Sequence, residues 1–156
     1  MELSIFLLIK DFIFCFLAAG FFSLLISAPK KSIPISSAVA SVGYILYDII
    51  CLGLGHEVAA FFFGTLLISI SGELLARVMR MPSTVFVVPA IVPLVPGVGI
   101  YMTMLHIVED NLMLAAQRGT ATLLNAAAMA VAIALGNVLA VNTSKASKTI
   151  KERRHS

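Results

Sequence analysis

The run Val88-Pro89-Ala90-Ile91-Val92-Pro93-Leu94-Val95-Pro96-Gly97-Val98-Gly99-Ile100-Tyr101 is apolar throughout, yet it carries three prolines and two glycines. A proline inside a helix removes a backbone donor and crowds the carbonyl four residues earlier. Gly97 and Gly99 permit backbone angles that alanine does not. One proline kinks a helix. Pro93, Pro96 and Gly97 together predict a break, and the apolar flanks place it near the middle of a membrane. Backbone groups freed there cannot face lipid, so they must pack against protein or line a wet cavity.

The surrounding chain has the composition of a membrane protein. Hydrophobic residues make up 60% of 156 residues and charged residues 12%, against roughly 25% charged in a soluble domain. Mean hydropathy is +1.02. A span needs about twenty mostly apolar residues. Five stretches qualify: Leu3 to Ser27, Ile33 to Leu54, Val58 to Ala76, Val85 to Val108 with the break inside it, and Ala121 to Val141. The predicted fold is therefore an all-α integral membrane domain of about five transmembrane helices over residues 1–143. A polar, basic cytoplasmic tail, frayed rather than folded, follows over 144–156. The first apolar run is too long for the core of a cleaved leader, and Glu2 stands where a basic flank would be, so it reads as a span.

With five spans, nine of the eleven Lys and Arg residues fall on one side: Lys30, Lys31, Arg77, Arg80 and the five of the tail. The excess of basic residues in cytoplasmic loops then predicts a multi-pass inner-membrane protein with its N-terminus outside and its C-terminus in the cytoplasm. The basic residues form no stripe interleaved with aromatics, which argues against nucleic acid. Cys15 and Cys51 lie in apolar runs and read as small buried hydrophobes.

Ionisable residues within spans are costly and face cavities or partners. Asp11, Asp48 and Glu73 are the candidates for proton coupling. Each also has a plainer reading. Asp11 and Lys10 point about 100° apart and can each reach the interface, and Asp48 can lie at the interface. Glu73 can pair with Arg77 one turn on. His56-Glu57 begins a metalloprotease motif, but Ala60 replaces the second histidine, so no metal site is expected. No nucleophile–base pair and no cofactor motif is visible, which argues against an enzyme. Ala126, Ala130 and Ala134 predict a close-packing stripe on the last span, with Asn125 and Asn137 available for hydrogen bonds. Ser37, Ser41, Ser69, Ser71 and Gly72 predict similar close contacts for spans two and three.

Two readings of the broken span stand at this point. It forms a transport site, in which the half-helix beginning near Gly99 turns its positive end toward an anionic substrate, or it is a kink used for packing. In the first, Pro93, Pro96, Gly97, Gly99, Tyr101 and Asn125 form the substrate path. In the second, the chain is a non-transporting subunit that stabilises or regulates a partner.

The segment Pro93-Leu94-Val95-Pro96-Gly97, with Ile100-Tyr101 after it, resembles the Pro-Leu-Leu-Pro-Gly segment followed by Ile-Tyr in the second half of threonine/serine exporters of the ThrE type. The five-span layout and the place of Asp11 are similar to the small subunit of the split form of these exporters. Met102-Thr103 stand where fused members carry a basic-small pair. The resemblance implies a two-component secondary exporter for a small carboxylate: threonine or serine in fused members, succinate in the split pair. It implies a larger membrane partner like the exporters' N-terminal half. The thin shell of five helices makes a homo-oligomer a further option.

Overall fold

The structure, a computed structural model, describes the backbone of residues 5–153 and the side chains of residues 6–140. It is helical throughout: α1 (Ile5–Leu25), α2 (Ile33–Leu54), α3 (Glu57–Met79), α4 (Thr84–Ile91), a 3₁₀ turn (Val92–Leu94), α5 (Gly97–Val108) and α6 (Leu112–Arg153). By length and composition α1, α2, α3 and α6 can each cross a membrane. The two halves around Val95-Pro96 make a fifth span, bent by 48°. The predicted start of the first span at Leu3 lies outside the described residues.

Local chemistry sets the helix ends. Pro34 sits in the first turn of α2, where its missing N–H costs nothing. Gly55 closes α2 in the left-handed conformation at φ 70°, with its N–H bonded to the Cys51 carbonyl. Arg80 ends α3 in the same way at φ 54°.

The helices α1, α2, α3 and α6 form a row in which each packs on the next. The α4 half of the broken span and the 3₁₀ turn lie against α1, α2 and α3, whereas among the described residues α5 packs on α6 alone. Small residues make these approaches close. A Cβ at Gly64 would stand 3.0 Å from the Gly43 carbonyl oxygen, and one at Gly43 would strike Ile68. Gly72 of α3 receives Val87 of α4, and Gly136 of α6 receives Ser69 of α3. Hydroxyls bridge the same seams: Ser41 Oγ donates to the Phe12 carbonyl at 3.0 Å, and Ser69 Oγ to the Ile133 carbonyl at 3.2 Å. Such bonds contribute roughly 0.6 kcal/mol each in a membrane bundle. Large side chains such as Phe6, Phe14 and Phe21 face outward.

The register of α6 decides where the site lies. α3 and α6 run parallel, with Asn125 meeting Glu57 and Gly136 meeting Ser69. The part of α6 before Asn125 therefore extends beyond the first residue of α3. It carries α5 antiparallel to it, with Gly99 on Thr122 and Gly119 on Thr103. Leu94 sits against Gly64, seven residues into α3, which is about 10 Å from that helix's start. The break thus falls within the first third of α3 rather than at its midpoint.

Several expectations are corrected. The connection expected over Glu109 to Thr120 shrinks to three residues, because α6 begins at Leu112. The backbone of α6 continues as helix through Arg153, into the stretch read from the sequence as a polar tail. Ala126, Ala130 and Ala134 are exposed; the packed face of α6 carries Asn125, Met129, Ala132 and Gly136 instead. Asn137 is exposed as well. Ser37, Ser41, Ser69 and Gly72 are buried as expected, while Ser71 is half-buried. Neither Gly97 nor Gly99 needs a positive φ, which among the glycines only Gly55 adopts. Among the described residues the ion pairs are Lys10–Asp11 at 4.0 Å and His106–Glu109 at 3.4 Å; Glu73 and Arg77 do not pair.

The Gly43–Gly64 crossing sets the spacing of α2 and α3. Gly64→Leu is expected to destabilise the folded chain by about 1–3 kcal/mol through overpacking. Gly53→Ala, where a Cβ meets nothing within 4 Å, should stabilise it by about 0.5–1 kcal/mol. Thermal unfolding in detergent checks both.

Candidate functional site

The break opens a partly enclosed cavity of about 200 Å³. A single water needs roughly 10–15 Å³ of such space, so a ligand of several heavy atoms fits. Its floor is Tyr44 and Tyr47 of α2 with Phe61 of α3. Tyr47 packs on both Tyr44 and Phe61, with ring centroids 5.5 and 4.8 Å away, which fixes this aromatic surface. One wall is the chain from Pro93 to Gly99; the other is α6 with Arg118, Ala121, Thr122 and Asn125. Glu57, the first residue of α3, stands at the edge.

The wall made by the break presents backbone donors. Gly97 N–H bonds to the Val95 carbonyl at 2.6 Å and Ile100 N–H to the Pro96 carbonyl at 3.2 Å. Among the described residues no partner is seen for the N–H groups of Val98 and Gly99, which belong to the unsatisfied first turn of α5. The positive end of the helix dipole lies there too.

Asn125, Arg118 and Glu57 line the same cavity. Asn125 is 3% exposed and donates from Nδ2 to Glu57 Oε1 at 2.9 Å, while its Oδ1 has no partner. A buried carbonyl oxygen left so is costly and offers an acceptor to a ligand. Arg118 and Glu57 are exposed and line one cavity, yet they do not pair with each other.

The expected path residues are therefore brought together in large part. Pro93, Pro96, Gly97, Gly99 and Asn125 all line the cavity. Tyr101 does not; it lies on the outward face of α5, 62% exposed. Gly97 leaves open space where a Cβ would be, and Gly99 admits Thr122. The acidic candidates separate. Asp11 lines a second small cleft with Cys15, Tyr44 and Pro93, so Tyr44 and Pro93 divide that cleft from the main cavity. Asp48 is buried and, among the described residues, makes no ion pair and leaves Oδ2 without a partner. Glu73, near the other end of α3, lines neither space. Among the described residues no three His, Cys, Asp or Glu side chains gather as a metal site.

Glu57 and Arg118 were not expected here. In the sequence both lie in or beside polar connecting stretches, and only the extension of α6 past α3 brings them to the break.

The family model described as "Threonine/Serine exporter, ThrE" matches residues 11–139. This chain belongs to the threonine/serine exporter family. Its membership makes it a multi-pass membrane protein of a transporter family, and every cavity residue named above lies inside the matched region. The proline-glycine segment that suggested the family is the segment that builds the cavity wall. Asp11 is the first matched residue, and the basic tail falls outside the match. No solved structure matches this exporter-family chain.

A buried carboxylate with no counter-ion costs folding free energy. Asp48→Asn keeps the volume and removes the charge. Its thermal midpoint in detergent should equal or exceed that of the unaltered chain.

Proposed function

We propose that this chain is the membrane subunit of a two-component secondary exporter for small carboxylates, and that the cavity at Pro93 to Gly99 is its substrate site. One observation carries the reading. The helix break turns free backbone N–H groups, a helix N-terminus and the unpartnered Asn125 oxygen into one cavity with room for a small solute. A kink used for packing alone would close on neighbouring side chains. The substrate is threonine, serine or a succinate-like dicarboxylate.

A larger membrane partner completes the exporter. In support, α5 buries no residue and packs on α6 alone among the described residues, so one side of the site is uncovered. The driving force is an ion gradient, with Asp11 and Asp48 as the coupling groups. Asp11 borders the wall shared with the cavity, whereas Glu73 is remote from it. The exporter sits in the inner membrane with its N-terminus outside. The topology puts the Lys30-Lys31 turn and the Arg77–Arg80 end of α3 at the same end of the helix row, where basic residues favour the cytoplasm. An alkaline phosphatase fused after Ser156 should be inactive; an active fusion would reverse the orientation.

Efflux of labelled threonine, serine and succinate from loaded cells tests the function. Cells with the chain and its partner should export at least one of the three, and cells lacking the chain should retain it. Gly97→Leu, placed where the backbone leaves room, should stop efflux while the chain still reaches the membrane at unaltered level. Full efflux by Gly97→Leu would make the chain a non-transporting subunit.

A further inference from the structure

The cavity has two oppositely charged poles. Arg118 and the Val98 and Gly99 N–H groups mark one; Glu57, held by Asn125, marks the other. Opposite charges in so small a space would ordinarily pair, yet these two do not meet. Asn125 accounts for part of this. It is buried, its Nδ2 donates to Glu57 Oε1 at 2.9 Å, and its own Oδ1 is left beside that carboxylate without a donor. Two acceptors, the Glu57 carboxylate and the Asn125 oxygen, thus stand together and ask for a cationic donor. An ammonium group supplies three N–H bonds and a charge.

We propose that Glu57, positioned by Asn125, is the specificity-determining residue of the site: it accepts a substrate's ammonium group and disfavours dicarboxylates. A carboxylate on the same substrate is held by Arg118 and the first turn of α5. A dicarboxylate would satisfy Arg118 but bring its second negative charge to Glu57. This inference rests on the substrate-site reading above and chooses among its substrates.

The test is competition for labelled threonine on the full chain with its partner in detergent. The competitors are unlabelled threonine, N-acetylthreonine, threoninamide and succinate. N-acetylthreonine lacks the ammonium, and threoninamide lacks the free carboxylate. With the unaltered protein, N-acetylthreonine and succinate should compete roughly tenfold or more weakly than threonine, the loss expected for one charge-assisted hydrogen bond. Glu57→Gln keeps an oxygen for Asn125 and removes the charge. It should weaken threonine and erase its advantage over N-acetylthreonine and succinate. Arg118→Gln should instead erase the advantage over threoninamide and keep the one over N-acetylthreonine, which separates a pole from a folding defect. The inference is overturned if N-acetylthreonine competes as well as threonine with the unaltered protein, if succinate competes better, or if Glu57→Gln leaves the advantage intact. In each case efflux that still depends on Gly97 keeps the transport reading. If neither threonine nor succinate binds or is exported, the transport reading falls and takes this one with it.

Discussion

Backbone groups released from a helix find no partner in hydrocarbon, and this constraint governs the molecule around Val95-Pro96. The sequence reduces the problem before the fold solves it. Pro93 and Pro96 have no N–H to satisfy. The remaining donors are closed locally where possible, by Val95 onto Val92 and by Gly97 onto Val95. What is left, the N–H groups of Val98 and Gly99, must meet a polar surface. Glu57 and the Asn125 oxygen are the acceptors lining the same cavity, and the register of the helix row brings them there. The same constraint explains why α4 is so tightly seated. Its packing on Gly72, and that of Leu94 on Gly64, anchors the chain immediately before the break.

Small hydroxyl residues line the seams of the bundle beside a few large apolar ones, and many large apolar side chains face outward. Ser23, Ser36, Ser37, Ser41, Thr65 and Ser69 are fully buried with Phe86, Ile68 and Leu94, while Phe6, Phe14, Phe21, Leu123 and Leu124 face outward. Lipid solvates the large side chains as well as protein does, so helix association rests on close backbone approach and interhelical hydrogen bonds. This is why hydropathy locates the spans well and their faces poorly. The Ala126–Ala130–Ala134 stripe is as acceptable to lipid as to a neighbour, and it faces outward. The neighbouring face wins because Gly136 lets Ser69 reach the Ile133 carbonyl, a reciprocity between two helices that neither helix displays alone.

The break was legible because prolines and glycines act locally, and a local rule can be read from a local string. The partners of the break were not. Arg118 stands in a stretch containing Gln117, Gly119 and Thr120, which reads as a connection by composition. In the fold it is a regular turn of α6 in which Gly119 lies against Thr103 while Arg118 stays exposed. Glu57 reads as part of a short turn and is instead the first residue of α3. Tyr101 shows the opposite error. Adjacency to the motif suggested the site, but α5 rotates about 100° per residue. With Gly99 against Thr122, Tyr101 comes to the outer surface.

The two halves of the broken span are held unequally, and the site straddles them. α4 and the 3₁₀ turn are wedged among α1, α2 and α3, whereas α5 rests on one neighbour through Gly99 and Gly119. Sparse packing of this kind lowers the free energy of local displacement. Glu57, Tyr47 and Phe61 belong to the tightly packed row; Arg118, Thr122 and the first turn of α5 belong to the extension. The two charges are therefore carried by different helices, Glu57 by α3 and Arg118 by α6 about two turns before Asn125. The Asn125–Glu57 hydrogen bond ties the two bodies where they part. α6 runs unbroken through both parts, so a ligand that bridges the two poles would tie the first turn of α5 to the row beside that continuous helix and the Asn125–Glu57 hydrogen bond.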